Sequence, residues 1–193
     1  GLPTERDEDV LAIGELAHAA LGVGRRHTKR ATIHVGVSTF VPKPHTPFQW
    51  EPQIPVEETR RKQRLLREAF GPTRSIDFRY PDAEGSEIEA LLCLGDRRVA
   101  TAILAAWRRG QVLDGWGEHF SYENWRAAAA EMEREWGVGI DFFAHRARGR
   151  DEVLPWEPID CEVTRAYLWR ERERSYDAAE IEVPDCAIVP CHV

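Results

Sequence analysis

The sequence has no run of about 18 apolar residues, so no segment of it reads as a membrane-spanning helix. It shows no basic stretch leading into an apolar one, and the expected location is cytoplasmic, with no membrane partner. Cysteine is scarce. Four thiols in 193 residues do not make a disulfide framework in a cytosolic chain. No Walker-type glycine loop is present. Nor is there an excess of positive charge: 26 Lys and Arg stand against 33 Asp and Glu, and the net charge of −7 argues against broad nucleic-acid binding. The basic clusters at 25–30 and 60–67 therefore read as solvated faces.

The composition itself is that of an ordinary globular protein, 42% apolar and 31% charged, in a chain long enough to bury about 70% of its unfolded surface. Its centre of interest is ATIHVGVSTFVPKPHTPFQW, residues 31–50. The first ten residues predict a strand, because Ile33, Val35 and Val37 alternate with smaller or polar neighbours. The residues from 41 to 55 fit neither strand nor helix, since Pro42, Pro44, Pro47, Pro52 and Pro55 remove backbone donors and extend the residues before them. Such a loop either presents Lys43, His45, Thr46, Gln49 and Trp50 at a strand's C-terminal end, where α/β folds place ligands, or is a surface connector. His34 reads as a satisfied core histidine of the strand. His45 has no Ser, Cys or Asp partner in view, so a nucleophilic triad is unsupported.

Around that stretch, Asp7, Glu8 and Asp9 open a helix with Val10, Ile13, Ala17 and Leu21 on its buried stripe, and Gly22 and Gly24 are expected to end it. A second helix opens at Pro55 and runs to about Phe70, where Gly71-Pro72 stops it. Residues 1–72 thus read as turn, helix, strand, loop, helix, which fits the end of a partial parallel barrel. Ile76, Phe78 and Tyr80 predict a further strand. Helices are expected in the later part of 86–110, at Tyr122–Trp136 and at Val163–Arg174, making 73–193 an appended, mainly helical α/β region. In the aromatic loop 113–118, Asp114 and Glu118 point either to acid–base chemistry or to packing and helix capping. Cys93 falls in an apolar run and reads as a small core residue.

The segment VSTFVPKPHTPFQW resembles the end of the sixth strand in radical S-adenosylmethionine enzymes. The likeness is to an uncharacterised fused family whose members carry a cobalamin-binding-like domain ahead of the radical domain. Further segments resemble that family in order: EALLCLGDRRVATAILAAWRRGQVLDGW, then LPWEPID at 154–160, covering nearly the whole chain. GLPTE resembles the second half of the strand-five motif Gly-x-Ile-x-Gly-x-x-Glu, with Gly1 and Glu5 standing for its last Gly and Glu beside the cofactor's adenine; read without the resemblance, they are a turn glycine and a first-turn helix residue.

The resemblance implies a cofactor site shaped by Gly1, Glu5, Ser38 and Phe40, and a substrate pocket shaped by Lys43, His45, Gln49 and Trp50. It also implies S-adenosylmethionine, a four-iron four-sulfur cluster and an upstream cobalamin-binding domain in the intact protein. Asp185, Cys186 and Cys191 are similar to the family's D-C-x4-C-x2-C-G, so Cys186 and Cys191, with His192 beside them, are candidate metal ligands; a tail without metal is the alternative. The chain lacks a Cys-x3-Cys-x2-Cys cluster loop, and it begins at Gly1 and ends at Val193 in mid-pattern. It is therefore expected to be the C-terminal portion of a longer enzyme whose N-terminal part is its main partner, and to have no radical activity alone. Two other functions remain open: a non-catalytic RNA- or protein-binding module, and a methylthiotransferase-like activity on transfer RNA, whose enzymes share the PKP-TPF loop.

Overall fold

The computed structural model describes residues 1–184. The described residues form seven helices and two short parallel strands, an α/β chain that is mostly helical. They fall into two compact units. The first joins Gly1–Phe40 to Ile54–Ala83, and the second joins Val41–Gln53 to the residues from Glu84 on. None of the helices is long and apolar enough to cross a membrane.

In the first unit α1 spans Asp7–His27, β1 Ile33–Gly36, α2 Val56–Phe70 and β2 Ile76–Arg79. The strands pair in parallel, Ile33 opposite Ile76 and Gly36 opposite Arg79. Val10, Ala17, Leu66 and Phe70 form the core, with Val35, Val37, Ile76 and Phe78 of the sheet packed on them. The helices approach closely because of Gly14, where a Cβ would stand 2.7 Å from that of Ala69. Helix α2 has its expected bounds, opening after Pro55 and closing at Gly71.

Three local expectations are corrected. Helix α1 does not stop at Gly22 and Gly24 but continues to His27. Buried Leu21 anchors its last turns, and Arg25, Arg26 and His27 suit the negative end of the helix dipole. Gly24 serves close packing instead, since a Cβ there would lie 3.1 Å from that of Ala31. The first strand is four residues long rather than ten, and the second ends at Arg79. His34 is not in the core: its side chain is 74% exposed, and Nδ1 lies 2.9 Å from Asp77 Oδ2 on the paired strand.

The second unit contains α3 (Ala83–Leu94, its first residue shared with the first unit's boundary), α4 (Val99–Arg108), α5 (Tyr122–Trp136), α6 (Ile140–Ala144) and α7 (Arg165–Ala178). Helices α3 and α4 are separated at Gly95, where a Cβ would meet Val99 Cγ2 at 2.4 Å and the Leu91 carbonyl at 2.6 Å. Helix α5 has the expected bounds, with Ser121 accepting a hydrogen bond from the Asn124 amide and Gly137 left-handed at φ 69°. Trp125, Ala128, Ala129 and Met132 are buried as expected, whereas Trp136 is exposed and donates from Nε1 to Thr101 Oγ1. Helix α7 runs two residues later than expected at its start and four at its end; Thr164 caps it by accepting from the Tyr167 amide. No sequence pattern announces helix α6.

The Pro-rich stretch is no surface connector. It runs through the second unit with Trp50 fully buried and Gln49, Glu51 and Gln53 at most 4% exposed. A buried loop must match its backbone groups. Here Gln53 N donates to the Ala144 carbonyl and Arg148 N to the Trp50 carbonyl, each at 2.8 Å. Trp50 joins Leu94, Leu154, Trp156, Leu168 and Trp169 in one core cluster.

Candidate functional site

In the first unit the chain leaves β1 at Gly36, and Val37, Ser38 and Thr39 line a small cleft at that C-terminal end. Gly1 and Glu5 face the same cleft, together with Ile54 and with Lys62 of α2. Gly1 packs on Ile54: a Cβ there would stand 2.7 Å from Ile54 Cδ1, the far end of a side chain that could shift to admit it. The same direction leads to Phe40, whose Cβ would be 3.9 Å away. Four predicted cofactor-site residues, Gly1, Glu5, Ser38 and Phe40, are thus brought to one place. Gly1 and Glu5 stand four positions apart, one more than the spacing of the motif they resemble.

Glu5 Oε1 accepts from Lys62 Nζ at 2.8 Å and from the Gly1 nitrogen at 2.7 Å. Burial pushes the Glu5 carboxyl up, but these hydrogen bonds outweigh it and hold the group below the usual carboxylate range. Glu5 and Lys62 neutralise one another. The cleft therefore offers apolar walls (Val10, Ile13, Val37, Ile54, Leu66), the hydroxyl residues Ser38, Thr39, Thr59 and Tyr80, and the Glu5–Lys62 charge pair. Nothing in the sequence distinguishes Lys62, which is one cation of the run 60–67.

The predicted substrate residues lie in the second unit. Lys43 pairs with Glu89, and its Nζ is 3.2 Å from Cys93 Sγ. Burial works against the ammonium, but the bonds to Glu89 and Cys93 outweigh it and raise the pKa of Lys43. Cys93 is accordingly half-buried beside a polar group rather than purely a core residue. Trp50 is core. His45 and Gln49 line a second cleft, of about 210 Å³. Asp114 Oδ2 accepts from Trp125 Nε1 at 2.9 Å, which gives that loop carboxylate a packing role.

No known protein family, curated protein or solved structure matches the chain. Among the described residues no group of three or more His, Cys, Asp or Glu could hold a metal ion. Cys186 and Cys191 lie outside the described residues.

One polar network was not legible in the sequence at all. His145 Nδ1 lies 2.9 Å from the Gln53 carbonyl and Nε2 lies 2.9 Å from Glu87 Oε1. Both partners only accept, so the ring carries both protons. Tyr122 donates to the other Glu87 oxygen at 2.6 Å. Burial works against both ions, but their mutual bonds outweigh it: the His145 pKa is raised, and the Glu87 pKa is lowered. A raised histidine pKa adds stability that is complete below the unfolded value, about 6.5, and is lost as pH rises through the folded one. A lowered carboxylate pKa adds stability present above the unfolded value, about 4.3, and lost as pH falls through the folded one. Glu87→Gln should therefore cost most between about pH 4.5 and 6.5, on the order of 1.5–3 kcal/mol, and less as pH rises beyond the folded His145 pKa. Urea denaturation of both proteins across pH checks this, and a pH-independent difference would refute the charged pair.

Proposed function

We propose that the first unit is a ligand-binding strand–helix portion of a partial (β/α) barrel. Its cleft holds the S-adenosylmethionine of a radical S-adenosylmethionine enzyme acting on a substrate still to be identified. The observation that carries this reading is the gathering of Gly1, Glu5 and Ser38 around one cleft at the C-terminal end of a parallel strand. That is where α/β sheets bind their ligands. The pocket's chemistry fits parts of such a ligand: apolar walls for an adenine face and hydroxyls at Ser38 and Thr39 for a ribose. When bound in such an enzyme, the cofactor and its iron–sulfur cluster supply a carbon-centred radical. The described residues contain no set of thiolates that fits the cluster, and no step is drawn through it.

The test is a titration of the isotope-labelled chain with S-adenosylmethionine, monitored by amide NMR. Saturable shifts are expected at Gly1–Glu5 and Val37–Thr39, and they should vanish in Ile54→Trp, which fills the cleft. Shifts confined to other residues, or equal binding by Ile54→Trp, would overturn the proposal. Tight RNA binding that weakens steeply with salt would instead favour a nucleic-acid-binding module.

A further inference from the structure

We propose that the outer face of α1 docks on α1 of a second copy of this chain, the two helices running antiparallel about a twofold axis. The inference belongs to the first unit and does not depend on what its cleft binds.

Helix α1 has two apolar faces. Val10, Gly14, Ala17 and Leu21 are buried in the core. At about 100° per residue, Ala12, Leu16, Ala19 and Val23 fall together on another side of the helix. All four are exposed, Leu16 by 71% and Val23 by 53%. They follow one another at intervals of four, three and four residues, the spacing of a coiled-coil seam. A charged residue stands about one turn beyond each end of that seam, Glu8 before Ala12 and Arg26 after Val23. Among the described residues neither of these side chains has a hydrogen bond or ion pair.

Charge and size select the occupant. Asp7, Glu8 and Asp9 fill the first turn of α1, and Arg25, Arg26 and His27 its last. A parallel copy would set like charges together at both ends. An antiparallel copy, centred between Ala17 and His18, sets each acidic end against a basic one. Glu8 then faces the partner's Arg26 on one flank of the seam, and Asp9 faces the partner's His27 on the other. The same register places large side chains on small ones: Leu16 meets the partner's Ala19, and Val23 meets the partner's Ala12. Such a face is self-complementary, as a twofold contact requires. Its alanines let the helix axes approach to about 8 Å. One 21-residue helix on its copy makes an interface smaller than the standard of about 1,200 Å² or more. The association is therefore weak, with Kd on the order of 10–100 μM.

The test is sedimentation velocity on the full chain from about 5 to 500 μM, a range that brackets this Kd. The weight-average mass should rise from 22.1 kDa towards twice that value. Leu16→Glu puts a carboxylate into the seam without touching the core. It should keep the melting temperature and stay monomeric throughout. Glu8→Arg sets arginine against arginine at both ends of the pair and should weaken it about tenfold, as should Arg26→Glu by setting glutamate against glutamate. An equimolar mixture of these two variants should regain the original affinity, because each end then joins an arginine to a glutamate. Circular dichroism establishes that every variant is folded. A chain that stays monomeric at all concentrations leaves the seam to a different partner and overturns the proposal. It is equally overturned if folded Leu16→Glu associates as before, if Glu8→Arg dimerises unchanged, or if the mixture is no tighter than its components.

Discussion

Trp50→Ala is expected to destabilise the second unit by about 3–5 kcal/mol, the range for deleting a fully buried aromatic side chain. Trp50 has no exposed surface and packs edge-to-face on Trp169, the ring centroids 5.0 Å apart at 79°. Its neighbours come from three distant parts of the chain: Leu94 ends α3, Leu154 and Trp156 lie between α6 and α7, and Leu168 and Trp169 are on α7. Removing the indole therefore leaves a cavity that no single element can close by shifting. Trp50→Phe separates packing from chemistry. Nε1 of Trp50 is buried without a hydrogen-bond partner, so the phenyl ring discards an unmatched donor and keeps most of the apolar contact. It should cost less than about 1.5 kcal/mol. Urea unfolding monitored by near-ultraviolet circular dichroism, with the two units allowed separate transitions, would decide the matter. Equal losses for Ala and Phe would show that the ring does not hold this core.

The same segment shows where sequence patterns stop being informative. Alternation at 33–37 and 76–80 announces the strands, and the helical spacing of 56–70 and 122–136 announces α2 and α5. The prolines of 42–55 rule out regular structure there. What they cannot report is burial. Gln49, Glu51 and Gln53 have the composition of a solvated loop, yet each is matched by a group far along the chain: Trp156 is 107 residues away, Arg172 is 121, and His145 is 92. No local window contains such pairs.

The candidate clefts divide in a similar way. Gly1, Glu5, Ser38 and Phe40 are suggested by the family resemblance, and they gather in one place because two chain segments converge beside β1. Lys62, the partner that sets the charge of Glu5, lies 57 residues from it and is hidden in a cationic run. His34 defies its expected burial because one face of a two-stranded sheet is open to solvent, whereas the central strand of a larger sheet would have buried it.

Glu51→Gln should be nearly as damaging as Trp50→Ala, for an electrostatic reason. Glu51 is 2% exposed and Arg172 is 0% exposed, and Arg172 Nε donates to Glu51 Oε1. The guanidinium also lies over Trp169 and Tyr176, 4.7 and 5.1 Å from the ring centroids. Withdrawing both charges from water costs about as much as their attraction returns, so the intact pair adds little net stability. Removing one partner alone is different, because the remaining charge stays buried without its counter-ion. Glu51→Gln and Arg172→Met should each lose about 3–5 kcal/mol. The double variant Glu51→Gln/Arg172→Met leaves no buried charge and should be more stable than either single one. A double-mutant cycle by urea denaturation measures this coupling directly. Additive losses would mean that the two charges are matched independently of each other. A strongly non-additive cycle would mean that the pair fixes the course of the Pro-rich segment: Glu51 finds its counter-charge only when the loop takes the path that also buries Trp50.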